Sequence, residues 1–262
     1  MTGHVNGPGA REPAALGQAA PAALAAASIR ALAFSLATSR TLVGAWAKVS
    51  VLQFFLAEAI TIAGWAGPAP YSRRFNYISD LGALHCGVYA GRDVCSPLHL
   101  VMNLSFVLQG TAMIVGALFL NAAVFRVAAK LVSPAKAAHP LSIVVSRLLI
   151  AVAGTGMVVV GLVPEDLLPP LHYTGAVMFF VAGGLSLLAT AWSWRHVTRA
   201  SWLLLGCGLV SLASTAVFQF GSGFEAGTVE RLMGYPITIG LAVVGLTMAR
   251  GVHRARRMLA AR

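Results

Sequence analysis

The sequence predicts an all-α protein, a six-helix bundle that crosses a lipid bilayer. Three observations predict it. Of 262 residues, 58% are hydrophobic and only 10% charged, too little polar surface to solvate a globular domain. Six apolar runs are each long enough to cross a hydrocarbon core of ~30 Å, which takes about 20 helical residues. The connections between those runs alternate in charge, basic then acidic, along the chain. The net charge of +11 therefore reads as topology. The expected partner is the lipid bilayer, and no nucleic acid is expected.

Residues 1–27 are rich in Ala, Gly and Pro, lack a signal-type apolar core, and read as a disordered cytoplasmic tail. Residues 28–45 place Ile29, Leu32 and Leu36 on one face with Arg30 and Arg40 able to meet headgroups, the pattern of an interfacial amphipathic helix. The membrane domain follows over 46–250. Its spans lie near Trp46–Ala66, Leu98–Ala122, Leu141–Val163, His172–Trp194, Ala200–Phe220 and Leu232–Ala249, and 251–262 form a basic cytoplasmic tail. Arg30, Arg40 and Lys48, then Arg126, Lys130 and Lys136, then Arg195 and Arg199, then Arg250 to Arg262 fall on one side of a six-span count. Asp80, Asp93, Glu165, Asp166, Glu225 and Glu230 fall on the other. By the positive-inside rule both termini are cytoplasmic and the chain makes three outward-turning hairpins.

Two of those turns share a short pattern. Pro97-Leu98-His99 opens the second span and Pro170-Leu171-His172 the fourth; Phe106 and Gly110, or Phe179 and Gly183, follow at the same offset. The longest outward connection holds FNYISDLGALHCGVYAGRDVCSPLHLVMN, Phe75 to Asn103. Its Cys86 and Cys95 lie on the side facing an oxidising compartment, with Gly87 and Gly91 between them to let the chain turn back. A disulfide is expected, bringing His85 and His99 near each other; the alternative is two free thiols.

Four motifs stand in order: N-x-I-S-D-L-G at Asn76–Gly82, S-P-L-x-x-x-M-N at Ser96–Asn103, G-L-V-P-E-D at Gly161–Asp166 with a following His172, and V-E-R-L-x-x-Y-P at Val229–Pro236. Together they resemble the domain of unknown function 998, a family of prokaryotic integral membrane proteins, from Val49 to Ala249. The resemblance implies a six-helix domain in a prokaryotic plasma membrane, without an established activity or cofactor. His99 and the cysteine pair are not assigned by it.

The candidate binding residues are Glu58, Asp80, Asn103, Glu165, Asp166, His172, Glu230 and Arg231. Glu58 lies inside the first span among Phe54, Phe55, Leu56 and Ile60, where a carboxylate must be paired, protonated or beside water. Gln109 is at a depth to share a hydrogen bond with it. Asn103 reads as an interhelical hydrogen bond or a site group. Arg147 reads as a snorkelling anchor. Glu230 and Arg231 read as an ion pair, or Arg231 as a contact to lipid phosphate.

Asp80, Asn103, His172 and Glu230 are expected to share one outward concavity. Ser79 beside Asp80 offers a nucleophile with His172 as base, or equally a helix cap. His99, His172 and Asp80 are candidate ligands for a divalent metal, although no H-E-x-x-H or paired C-x-x-C is present. Cys207, Ser211, Thr215 and Gln219 form a polar stripe on the fifth span, from packing or from a hydrated path.

Three functions fit these residues. The first is a non-catalytic membrane component, accessory or lipid-binding, with a lipid or small-molecule ligand at the outward face. An outward-facing hydrolase or transferase acting on a lipid or envelope precursor is the alternative. A small proton-coupled transporter using Glu58 is the third. Whether the chain is an enzyme stays open at this point.

Overall fold

The computed structural model describes residues 27, 38–119, 140–196, 198–220 and 225–260. Residues 1–26 of the N-terminal tail and 28–37 of the segment read as an interfacial helix lie outside them. Thr38 caps helix α1 (Ser39–Ser50), its side-chain oxygen accepting from the Thr41 N–H. After a turn at Val51 and Leu52 the chain re-enters helix α2 (Gln53–Ala63). The two pieces make one 25-residue span, Ser39–Ala63, which starts earlier than Trp46. Thr41, Gly44 and Ala45 are buried in it, so residues 39–45 belong to the bundle.

Five more helices are long and apolar enough to cross a membrane. They are α3 (His99–Leu118), α4 (Pro140–Leu162), a composite fourth span, α7 (Ala200–Phe220) and α8 (Ala226–Ala260). The composite runs from α5 (Pro169–Val177) through a π turn at Met178–Ala182 into α6 (Gly183–Trp194). In packing order the first span touches α3, α3 touches α4, α4 touches α5 and α6, α6 touches α7, α7 touches α8, and α8 returns to α1. The helices thus close a ring. Facing helices approach through small residues: a Cβ on Gly154 would lie 2.7 Å from the Gly110 carbonyl, and one on Gly175 would lie 2.8 Å from that of Gly156.

Outside the ring, Leu100, Leu104 and Leu108 form an exposed row at helical spacing on α3, a face suited to lipid. Inside, hydroxyls join helices: Ser146 meets Thr190 at 2.7 Å and Ser193 meets Ser142 at 2.7 Å. Arg147 donates to the carbonyls of Ala117 and Leu118, closing the end of α3. Lys48 departs from the expected cytoplasmic set, being fully buried. Its stem lies over Gly116 and Gly245, where missing side chains leave it room. Helix α8 has 35 residues, about 52 Å at 1.5 Å per residue, so its basic last turns extend beyond a ~30 Å core.

The long connection is not purely helical. A 3₁₀ turn at Ser79–Gly82 is followed by a two-stranded hairpin, β1 (Gly87–Tyr89) and β2 (Arg92–Val94), paired Gly87 to Val94 and Tyr89 to Arg92. The all-α expectation misses this small sheet. Ala90 and Gly91 turn it with φ of 46° and 78°, the doubly positive pattern of a type I′ turn. Cys86 and Cys95 form a disulfide that brackets the hairpin.

Candidate functional site

Three connections meet at one end of the bundle. Arg74 to His85 of the long loop reach Glu165 and Asp166, which follow α4, and reach Glu225 and Glu230 at the start of α8 through Arg74 and Ile78. Arg74 and Glu225 form an exposed ion pair that, with the Thr228 hydroxyl, holds Glu225 down at about 2.

Glu58 and Arg231 hold the first span to the last. Arg231 donates to Glu58 Oε1 from Nε at 3.2 Å and Nη2 at 3.0 Å, and from Nη1 to the carbonyls of Arg73, Asn76 and Gly227, each at 3.0 Å. Its Nη2 also reaches the Tyr71 hydroxyl at 2.6 Å, and that hydroxyl donates to the Tyr77 carbonyl at 2.8 Å. Tyr235 donates to Glu58 at 2.6 Å. The guanidinium therefore meets the carboxylate, a phenol, two loop carbonyls and the Gly227 carbonyl of its own helix at once, as the charge and its donors require when buried. The ion pair expected between Glu230 and Arg231 is instead between Glu58 and Arg231. Gln109 does not share with Glu58; it donates to Thr238 at 3.0 Å.

A second network anchors the loop. Asp80 is fully buried under Arg92, which donates to it at 2.7 and 3.2 Å, and it accepts the Tyr77 N–H at 2.9 Å. The Arg92 guanidinium also lies 4.1 Å from the centre of the Tyr77 ring and 3.5 Å from Glu165. Ser79 donates to Glu165 at 2.8 Å, and the Tyr89 hydroxyl donates to the Glu165 carbonyl at 2.7 Å. Burial, then the adjoining Asp80 carboxylate, hold Glu165 well above the usual range, at about 9.

Asp166 and Glu230 both bind backbone N–H groups of the loop. Partial burial lifts Asp166, but the N–H groups of Leu84 and His85 and the His85 ring outweigh it and leave the group below its ordinary value. Glu230 accepts from Ile78 at the start of the 3₁₀ turn, where unpaired N–H groups attract a carboxylate.

Beneath the hairpin a cavity of about 770 Å³ opens between the composite fourth span and α7. Tyr77, Ser79, Arg92, Glu165, His172 and Glu230 line its polar end; Val177, Val181, Leu212, Ala216 and Phe220 form an apolar wall that also carries Tyr173, Thr215 and Gln219. Of the four groups expected in one concavity, His172 and Glu230 reach it, while Asp80 and Asn103 do not. Asp80 is covered by Arg92, and Asn103 is buried, donating to the Gly82 carbonyl at 2.9 Å. His172 donates from Nδ1 to the Val163 carbonyl at 2.7 Å, and Ser79 is bonded to Glu165, so the nucleophile and base are not paired with each other.

His99 Nδ1 donates to the Ser96 carbonyl at 3.0 Å, and His85 is engaged with Asp166, so the two histidines serve different partners. Among the described residues no group of three His, Cys, Asp or Glu side chains comes together as metal ligands. Of the stripe on α7, Ser211 donates to the Met233 carbonyl and serves packing, whereas Thr215 and Gln219 line the cavity. Arg92, Tyr77, Tyr89 and Tyr235 complete the site without having been singled out. Tyr235 carried a signal, lying four residues after Arg231 on one helix face.

Six apolar spans define a polytopic integral membrane protein. The chain belongs to the family described as Protein of unknown function (DUF998), which matches residues 49–247. No curated protein and no solved structure matches it.

Proposed function

We propose that the protein is a non-catalytic component of a prokaryotic plasma membrane that binds an amphiphile at its outward end, with both termini cytoplasmic. One observation carries this reading: the cavity of about 770 Å³ pairs a polar end built from the loop with an apolar wall of span residues. A headgroup and a chain need those two surfaces in that order. Most of the acidic groups here cap backbone N–H groups or pair with arginine, which suits a rigid receptor better than a reaction centre.

A hydrolase or transferase acting on a lipid or envelope precursor is the second reading. It is favoured by Glu165, a carboxyl at the cavity wall whose burial favours the protonated form, and thus a candidate general acid beside Ser79. A carrier using Glu58 has less support, because Arg231 and Tyr235 already occupy its carboxylate.

The test is lipid analysis of protein purified in detergent, beside an Ala216→Trp variant that fills the apolar wall. A lipid retained at about one per chain by the native protein and lost from the variant is expected. Equal retention by both, or none by either, would defeat the receptor reading. Turnover of that lipid abolished by Glu165→Gln would replace it with the enzymatic one.

A further inference from the structure

Deeper than the main cavity, a chamber of about 40 Å³ lies in the bundle core. Ser79, His172, Phe180 and Glu230 line both spaces, so the chamber adjoins the polar end of the larger cavity. Its volume exceeds the ~10–15 Å³ that one water needs.

The chamber is mostly apolar, and its few polar groups include the side chains of Gln109, His172 and Glu230. Gln109, 1% exposed, lines it, and its Oε1 has no hydrogen-bond partner among the described residues while its amide nitrogen is committed to Thr238. Thr238 in turn donates to the Gly234 carbonyl. His172 uses Nδ1–H on the Val163 carbonyl, so the neutral ring offers only an acceptor at Nε2. Glu230 accepts from the Ile78 N–H and forms no ion pair among the described residues. The nearby arginines are taken, Arg231 by Glu58 and Arg92 by Asp80. A buried acceptor without a donor, on the same chamber as a carboxylate without an ion-pair partner, is costly to leave so.

We propose that the chamber receives a primary ammonium group, which donates its N–H groups to Gln109 Oε1 and the Glu230 carboxylate at the inner edge of the larger cavity. This rests on the amphiphile-binding reading and names its headgroup class. An –NH₃⁺ has the three donors and the single charge that these groups lack, and it is close to water in size. A trimethylated ammonium has no N–H to give. The same group occurs on an aminolipid or on a free amine, and the apolar wall of the adjoining cavity favours the lipid.

The experiment measures binding to the full chain in detergent, by native mass spectrometry, of three amphiphiles with identical chains. Their headgroups are ethanolamine-type, trimethylated and neutral glycerol; free ethanolamine is a fourth probe. The primary amine should bind about tenfold or more above the other two lipids. Glu230→Gln and Gln109→Leu should each remove that preference, and an unchanged helical circular dichroism spectrum in detergent shows that the variants are folded. Glu230→Gln keeps an acceptor for Ile78. Free ethanolamine binding as tightly as the aminolipid would keep the ammonium site and assign it to a soluble amine. Equal binding of all three lipids, or a preference that survives both substitutions, overturns the ammonium site and leaves amphiphile binding standing. Binding of no probe overturns both.

Discussion

Arg231 holds a buried carboxylate, a phenol, two loop carbonyls and one carbonyl of its own helix, so its loss strands Glu58. Arg231→Leu should cost about 3–5 kcal/mol, the usual penalty for an orphaned buried charge, read as a lower melting temperature in detergent. Glu58→Leu combined with Arg231→Leu should cost less than the sum of the two single changes. Glu165 gives a prediction in pH. Its value of about 9 stands above the ordinary 4.5, so the fold disfavours its charged form. Stability is greatest at the acid end of that interval and falls as pH rises through it. Glu165→Gln should flatten that slope in a series of melting curves; an unchanged slope would assign the drift elsewhere. At this scale the sequence was half legible. Glu58 stood out because its neighbours are apolar, but its partner lies 173 residues away, beyond any local pattern. Asp80 and Asn103 were singled out for polarity alone, and burial turned both toward backbone and arginine partners.

The hairpin and its disulfide define the element scale. Cys86→Ser with Cys95→Ser should loosen the loop by roughly 2–3 kcal/mol in the chain-entropy model. Amide exchange should quicken over Gly87–Val94, with the spans unaffected; unchanged exchange there would show that Arg92 and Tyr89 suffice. Where α3 meets α4, Gly154→Val should cost about 1–3 kcal/mol by overpacking, since even a Cβ would lie 2.7 Å from a facing carbonyl. The disulfide was readable from compartment and spacing. Its three-residue strands were not, because Ala90-Gly91 lacks the Asn-Gly or Asp-Gly signature of a tight turn. The Pro-Leu-His repeat did correspond to a shared device: His99 and His172 each give Nδ1–H to a carbonyl that precedes their helix.

At the scale of the molecule, six spans were legible because hydrocarbon thickness sets run length, whereas the ring order was not, since periodicity does not say which helix faces which. For topology, cysteines placed in the Glu165–Pro170 turn and near Arg254 should show opposite accessibility to an impermeant label in intact cells. Equal labelling would refute the cytoplasmic placement of the ends. The ring also has a history in synthesis. Its closing contact joins the first helix to the last, and the bond across that seam is Glu58 with Arg231. At ~5–20 residues per second, the ribosome needs on the order of ten to thirty seconds to make the 173 residues between them. Throughout that interval the emerging first span carries a carboxylate whose counter-charge does not yet exist. Until the sixth span is made, the first span therefore carries an acid that its arginine does not yet pair.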